Sequence, residues 1–576
     1  MQSNKSGLAE LKEARASSRG LFWCAGLFSL FANLLMLTGP IYMLQVYDRV
    51  LGSGSEETLV ALTGLVVFLY GVMGFLDFVR GRILARIGVR FQMALDRRVY
   101  CAAMRAASSP TTARAVDGLR NIDMIQRFYA SPAMVALFDL PWTPIFLICI
   151  FAFHPWLGWL AVAGGGTLIA LTLANQFLGR MPVRAAQETA LRAERVALGA
   201  AGDAETLRAM GMEAALGERW RGRRVESLHA LLAASDVTGI FTSASKALRL
   251  LLQSAMLGLG AYLVLQGAVS AGAIIAASIL LGRALQPVEQ LIGQWPLLQS
   301  ARAAWRALAA LLADNPAPKP RAALPRPRAI LEARQATAFA PGGESAALRL
   351  VNFKIEPGQA CGVIGASGAG KSSLARVLTG SWPLAGGSLR LDGAHLESYD
   401  PATRGALIGY LPQKITLFDA TIAENIARMS SAPDIAGVRA AAQKAGADTM
   451  INAMPLGYDT PVAATGAQLS GGQIQRLGLA RALYGDPVVV VLDEPNSNLD
   501  NEGTVALNAT IRKLKAEGKA ILIMAHRPAA IQECDLLVSL DEGRVTEFGP
   551  KEGVLRSLVR NHAQIRLAPS GLGSVA

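Results

Sequence analysis

Gly365-Ala366-Ser367-Gly368-Ala369-Gly370-Lys371-Ser372 has the GxxxxGK[ST] spacing of a phosphate-binding loop. Lacking Cβ atoms, Gly365, Gly368 and Gly370 let backbone N–H groups close round phosphate oxygens. Lys371 can then reach the β and γ oxygens and Ser372 can hold Mg²⁺, with Ser367 and Ser373 in the same cradle. Asp493 and Glu494 form a second chemical pair. A carboxylate at the end of a buried strand can hold Mg²⁺ through water, and its neighbour can polarise an attacking water as general base. His526 is a third candidate, for contact with a γ-phosphate. The chemistry these residues could perform is hydrolysis of ATP with Mg²⁺.

Such residues need elements that bring them together. Ala360 to Ile364 reads as a buried strand entering the loop, and a helical pattern leaves it from Ser373. Val488 to Leu492 reads as another strand, ending in Asp493-Glu494-Pro495, and Ala520 to Met524 as a third, ending in Ala525-His526. By itself, an acidic pair after a strand is an ordinary turn, and a lone histidine at a strand end is usually structural. The phosphate loop upstream favours the chemical reading of both.

The rest of the chain is of another kind. Of 576 residues, 52% are hydrophobic and 17% charged, with mean hydropathy +0.33. This argues against a disordered or ordinary soluble chain and fits one partly buried in lipid. Leu21 to Tyr47, Thr58 to Leu76, Leu140 to Gly179 and Leu250 to Gly282 contain no acidic residue, lysine or arginine. A span needs about 20 apolar residues. The third stretch breaks at His154-Pro155 and the fourth in the small-residue segment Gly267 to Ala273, so six spans are expected. Four such runs exceed what a soluble core needs, and the first is too long for a cleaved signal peptide. The five cysteines include no close-spaced pair, which argues against a disulfide framework or structural zinc.

The net charge of +13 sits mainly in two arginine-rich segments, between the second and third spans and between the fourth and fifth. The positive-inside rule puts both in the cytoplasm, and both termini with them. The charge thus marks a membrane face and not a nucleic-acid groove. Folded out and back, each segment would reach about 35–45 Å beyond the membrane. Residues 1–20 read as a surface-lying lead-in helix carrying Leu8, Leu11 and Lys12. The membrane domain covers 21–313, with spans near 21–47, 57–79, 133–153, 155–179, 240–267 and 271–295. A stiff linker with Pro316, Pro318, Pro320, Pro325 and Pro327 covers 314–329. A nucleotide-binding domain covers 330–557, and 558–576 is a tail.

Leu469-Ser470-Gly471-Gly472-Gln473 resembles the signature motif of ATP-binding cassette (ABC) proteins, with the phosphate loop about 100 residues before it and Asp493-Glu494 about 20 after it. The resemblance implies a multi-domain membrane protein, a six-helix all-α ABC exporter transmembrane domain fused to an α/β P-loop nucleotide-binding domain. Gln413, in Tyr410-Leu-Pro-Gln413, resembles the Q-loop residue that senses Mg²⁺. Ser470, Gly471, Gly472 and Gln473 resemble residues that contact an ATP held by a second subunit. Asp500, in Asn498-Leu-Asp500, resembles the D-loop, and His526 the switch histidine. Phe339 stands where the family has a tyrosine stacked on adenine; it can stack but cannot donate a hydrogen bond. Because a signature motif completes a site in another subunit, one motif of each kind implies a head-to-tail homodimer with twelve spans. Segments near Leu119 to Phe128 and Ala204 to Met212 match the family's coupling helices.

Leu44 to Leu51, Phe138-Asp139-Leu-Pro141-Trp142, Ala209 to Met212 and Asp493 to Asp500 resemble type I secretion ATPases, in particular those exporting metalloproteases and lipases. That branch implies a periplasmic adaptor, an outer-membrane duct and a secreted protein with an uncleaved C-terminal signal. With 20 residues before the first span, a peptidase-like domain and leader cleavage are not expected. Two other readings stay open: a lipid or drug exporter, with no adaptor, and an ATP-gated channel on the same fold. Arg283 and Glu289, flanking Pro287, are candidates to line a polypeptide path through the membrane.

Overall fold

The structure is a computed structural model describing residues 2–107, 113–318, 321, 324–462, 469–525 and 528–557. The chain divides into two compact units, one of Met1–Ala107 and Thr111–Ala317, the other beginning at Pro318.

The first unit is helical. It comprises α1 (Gln2–Ala16), α2 (Arg19–Leu35), α3 (Thr38–Gln45), α4 (Glu56–Ala107), α5 (Ala113–Tyr129), α6 (Pro132–Asp139), α7 (Thr143–Phe153), α8 (Pro155–Gly202), α9 (Glu213–Leu265), α10 (Ala271–Gly293) and α11 (Trp295–Asp314). Among the described residues, six helical stretches are long and apolar enough to cross a membrane: Arg19–Ser53, Glu56–Ala107, Pro132–Phe153, Pro155–Gly202, Glu213–Leu265 and Ala271–Gly293. Helices α4, α8 and α9 have 52, 48 and 53 residues, far more than a span requires.

Helix α4 shows how one element serves two solvents. Its apolar first half leaves Val60, Val67, Phe68 and Phe75 bare, as suits lipid. From Arg80 onward a buried stripe begins, Ile83, Leu84, Ile87, Phe91, Leu95 and Val99, at spacings of three and four. It packs on Ile122, Ile125 and Tyr129 of α5 and on Leu308 and Leu312 of α11, with Phe91 stacked on Trp305 at 5.6 Å. A second core joins α7, α8, α9 and α10 through Phe146, Ile150, Leu157, Leu168, Met256, Leu280 and Leu281.

Three details differ from the sequence reading. The lead-in helix α1 is not surface-lying. Leu11 is fully buried, and Gly7 approaches α11 so closely that a Cβ there would meet the Ala309 carbonyl oxygen at 2.1 Å. The stripe Leu8, Leu11 and Ala14 finds an apolar partner in α11, and Glu10 pairs with Arg98 at 2.9 Å. The first span is divided: α2 ends at Leu35, α3 follows, and a π-helical segment, Val46–Val50, precedes the turn. The last membrane helix stops at Gly293, where Trp295 and Pro296 start a new one, and it continues through Pro287.

Polar groups pin these helices together. Asp139 accepts hydrogen bonds from Ser29 Oγ (2.8 Å), Asn33 Nδ2 (2.7 Å) and Arg80 Nη1 (2.5 Å), all buried, while Arg80 Nη2 pairs with Asp77 at 2.9 Å. At the opposite end of the first span, Asp48 accepts from Ser270 Oγ (2.6 Å) and Gly272 N (3.0 Å), closing the start of α10. Glu289 pairs with Arg249 of α9 at 2.8 Å, and Arg283 donates to Gln286 at 3.3 Å. Both candidate path-lining charges are thus engaged within the protein.

The second unit contains β1 (Leu331–Phe339), β2 (Ala346–Ile355), β3 (Ala360–Ile364), α12 (Lys371–Leu378), β4 (Gly386–Leu391), β5 (Ile408–Leu411), α13 (Gly471–Leu483), β6 (Val489–Asp493), α14 (Asn501–Ala516), β7 (Ala520–Met524), β8 (Leu536–Asp541) and β9 (Arg544–Pro550). The larger sheet has the order β9-β8-β3-β7-β6-β5, parallel except for β9 on its edge. Strands β6 and β7 are buried throughout, which is why they read as unbroken apolar runs. In the smaller antiparallel sheet β1 lies between β2 and β4.

Asp486 ties three segments of this unit together. Its carboxylate meets Lys519 at 2.8 Å, Arg326 at 2.8 Å and Lys444 at 3.6 Å. Partial burial pushes this carboxyl up, but the bonds and charges of Lys519, Lys444 and Arg326 outweigh it, so the net shift is downward. A depressed carboxyl contributes stability that is present above the unfolded value near 4 and lost as pH falls through the folded one. Asp486→Asn should therefore destabilise the protein by up to about 1 kcal/mol at pH 7, since the carboxylate is half-exposed and its ion pairs are screened by water. The difference should shrink below about pH 4. Thermal melts of both proteins across pH check the sign.

Candidate ATP site

Strands β3, β6 and β7 lie side by side, with β7 between the other two. Their parallel register brings the phosphate loop, Asp493-Glu494 and the end of β7 to one crevice beyond the strand ends. The loop backbone is one that glycine permits. Gly365 has φ +155°, and a Cβ there would meet the Leu540 carbonyl oxygen at 2.3 Å; Gly370 has φ +102° and caps α12. Gly365→Ala should therefore force the loop away from β8 and weaken ATP binding by at least about tenfold, the scale of a one-methyl overpacking cost of 1–3 kcal/mol. Titration of the purified chain with a fluorescent ATP analogue reads this directly.

Lys371 is nearly buried, and its Nζ donates to the Gly365 carbonyl (2.8 Å) and the Ala366 carbonyl (2.7 Å). Burial lowers its pKa, against the raising effect of Glu494 and Asp493. Ser372 Oγ donates to Asp493 Oδ1 at 3.3 Å. Burial raises the Asp493 carboxyl, helped by the charge of Glu494 and opposed by Ser372, Arg376 and Lys371. A buried carboxylate beside a serine hydroxyl is a hard-oxygen donor set that fits Mg²⁺. Glu494 has φ +51°, and its N–H donates to the Met524 carbonyl at 3.1 Å. That left-handed backbone turns the chain sharply after Asp493.

Ser470 and Gln473 form a reciprocal cap on α13: Ser470 Oγ accepts from Gln473 N at 3.3 Å, and Gln473 Oε1 accepts from Ser470 N at 2.8 Å. The serine hydroxyl proton stays available at a helix N-terminus, where anions are favoured. Side chains at Gly471 or Gly472 would touch Asn498. Asp500 caps α14 through Gly503 N at 2.7 Å. Phe339 is half-exposed at the end of β1 and pairs with Ala346, whose neighbour Ala347 borders Gly370. Gln413 is exposed in the loop after β5, and among the described residues no hydrogen bond joins it to Ser372 or Asp493. His526 lies outside the described residues.

Two further residues belong to this setting and carry no motif signal. Gln475 is buried, and its Nε2 donates to the Pro495 carbonyl at 2.9 Å, tying the signature helix to the turn after Glu494. Arg376, one turn beyond Ser372, stacks on Trp382 at 5.2 Å, and its charge acts on Asp493.

Residues 348–497 match the ABC transporter family and residues 22–288 the ABC transporter transmembrane region. The type I secretion system ATP-binding protein PrsD of Rhizobium meliloti (strain 1021) is 41% identical over 97% of this chain and 95% of its own length. The chain belongs to the type I secretion ABC transporters. The cyclolysin secretion/processing ATP-binding protein CyaB of Bordetella pertussis is 28% identical to this transporter over 92% of the chain and 75% of its own. The alpha-hemolysin translocation ATP-binding protein HlyB of Escherichia coli is 27% identical over the same shares. A bacterial Atm1-family ABC exporter with ATP bound shares the fold, with TM-score 0.79 over 96% of this chain and 100% of that one, at 23% identity. This transporter is a multi-pass membrane protein whose second unit is an ATP-binding, ATP-hydrolysing cassette.

Proposed function

We propose that this transporter uses ATP hydrolysis to export an unfolded polypeptide with a C-terminal secretion signal, as the ABC component of a type I secretion system. The observation that carries the reading is the 41% identity to a type I secretion ATP-binding protein along nearly the whole of both chains. A lipid or drug exporter is not favoured, because that identity spans the membrane unit as well as the cassette.

Within this reading two chains pair head to tail. Lys371, Ser372, Asp493 and Glu494 of one face Ser470, Gly471, Gly472 and Gln473 of the other across the ATP. Glu494 acts as the base. Ser372 and Asp493, with Gln413, would hold Mg²⁺, which when bound neutralises phosphate charge. His526 contacts the γ-phosphate, Phe339 stacks on adenine and Asp500 orders the D-loop. The short helix Ala204–Ala209, with exposed Met210 and Met212, couples a cassette to the spans. The arginine-rich helices, both termini and the cassette are cytoplasmic, and the spans cross the bacterial inner membrane. A periplasmic adaptor and an outer-membrane duct complete the path.

The test is to express the wild type or Glu494→Gln in cells lacking the gene and to identify the proteins in the medium. Loss of one or a few unprocessed proteins with Glu494→Gln is expected. An unchanged medium would overturn protein export.

A further inference from the structure

A cavity of about 530 Å³ opens where α1 meets α2. Lys12, Arg15 and Arg19 line it together with Phe22, Trp23 and Phe138. The three cations are exposed, and among the described residues none has an ion-pair partner. Glu10, the nearest acid on the buried side of α1, is already paired with Arg98, and Glu13 does not line the cavity. The wall is firm: Phe22 packs edge-on against Tyr129 at 6.0 Å, and Tyr129 against Phe91 at 5.8 Å. Trp23 is 81% exposed.

The charge-free run that opens the first expected span starts at Leu21, two residues after Arg19, so the cavity sits where that span begins. That is the level of lipid headgroups, where an exposed tryptophan and basic residues are expected. Below it, Trp23, Leu27, Leu30 and Leu34 are all exposed at spacings of four, three and four, so they form one apolar stripe down α2. We propose that this cavity binds one anionic glycerophospholipid. Its phosphate lies among Lys12, Arg15 and Arg19, its glycerol backbone rests against Phe22 and Phe138, and an acyl chain follows the stripe from Trp23. The charge complementarity selects an anionic headgroup, and the stripe selects a lipid over a soluble phosphate.

The test uses the full-length transporter in nanodiscs with phosphatidylglycerol bearing a photoreactive acyl chain, with crosslinks mapped to residues 19–34. Each cation near a membrane surface is worth about fivefold in affinity for an anionic lipid. Crosslinking should thus exceed that of the matching phosphatidylcholine by about tenfold or more. The triple variant Lys12→Gln/Arg15→Gln/Arg19→Gln should bring it to the phosphatidylcholine level with basal ATP hydrolysis retained. If the triple variant does not fold, Arg15→Gln alone should lower the signal about fivefold. Equal crosslinking by the two lipids, or an unchanged signal in these variants, overturns the proposal. So does loss of the phosphatidylglycerol signal on adding inorganic phosphate at constant ionic strength, which would make this a site for free phosphate.

Discussion

Glu494→Gln is expected to lower ATP turnover by about 10²–10⁴-fold, the usual contribution of a positioned general base, while ATP binding stays within about twofold. The asymmetry follows from what the substitution leaves in place. The glutamine keeps the side-chain shape and the backbone N–H that bonds the Met524 carbonyl, so the turn after β6 survives. Lys371, Ser372 and Asp493 keep their contacts. What is lost is the ability to accept a proton from an attacking water. Asp493 is poorly placed to compensate, because it is buried and engaged by Ser372. Single-turnover hydrolysis and equilibrium ATP binding on the same preparation separate the two effects. Turnover within tenfold of wild type would remove Glu494 from the base role.

Asp139→Ala is expected to destabilise the membrane unit by about 1–3 kcal/mol, the cost of leaving buried donors unmet while Arg80 keeps one acid. Three donors converge on this carboxylate from two other helices: Ser29 and Asn33 on α2, and Arg80 on α4. Removing the acceptor leaves Arg80, only 4% exposed, with the partly exposed Asp77 as its one remaining acid. The measurable result is a drop of the melting midpoint of the purified transporter. The double variant Arg80→Leu/Asp139→Leu should recover most of the loss, since a well-packed apolar pair often replaces a buried ion pair without cost. If the double variant is no better than Asp139→Ala, the penalty lies in packing and not in an uncompensated charge.

The parts of this protein that could be read from its sequence are those where one local rule dominates. The phosphate loop is set by glycine φ angles and one lysine, so eight consecutive residues announce it. The spans are set by the absence of charge over about 20 residues. Strands β6 and β7 are covered on both faces and so spell themselves out in apolar residues. The reading ran short where distant segments decide the outcome. Helix α1 looks like a surface helix until α11, some 300 residues later, presents Leu308 and Leu312 to it. Asp139 was legible as part of a motif, but its partners Ser29, Asn33 and Arg80 were not, because no spacing rule links them. Gln475 is another such case: its partner is the carbonyl of Pro495, 20 residues away, and every residue carries a carbonyl that could have served.

The two hydrogen bonds from Lys371 to the carbonyls of its own loop make that ammonium a placeholder. Its charge is met by the loop's own backbone, so the lysine fixes the start of the loop as well as offering a cation. Removing it, as in Lys371→Ala, takes the donor from two carbonyls at once and so reaches the shape of the cradle as well as its charge.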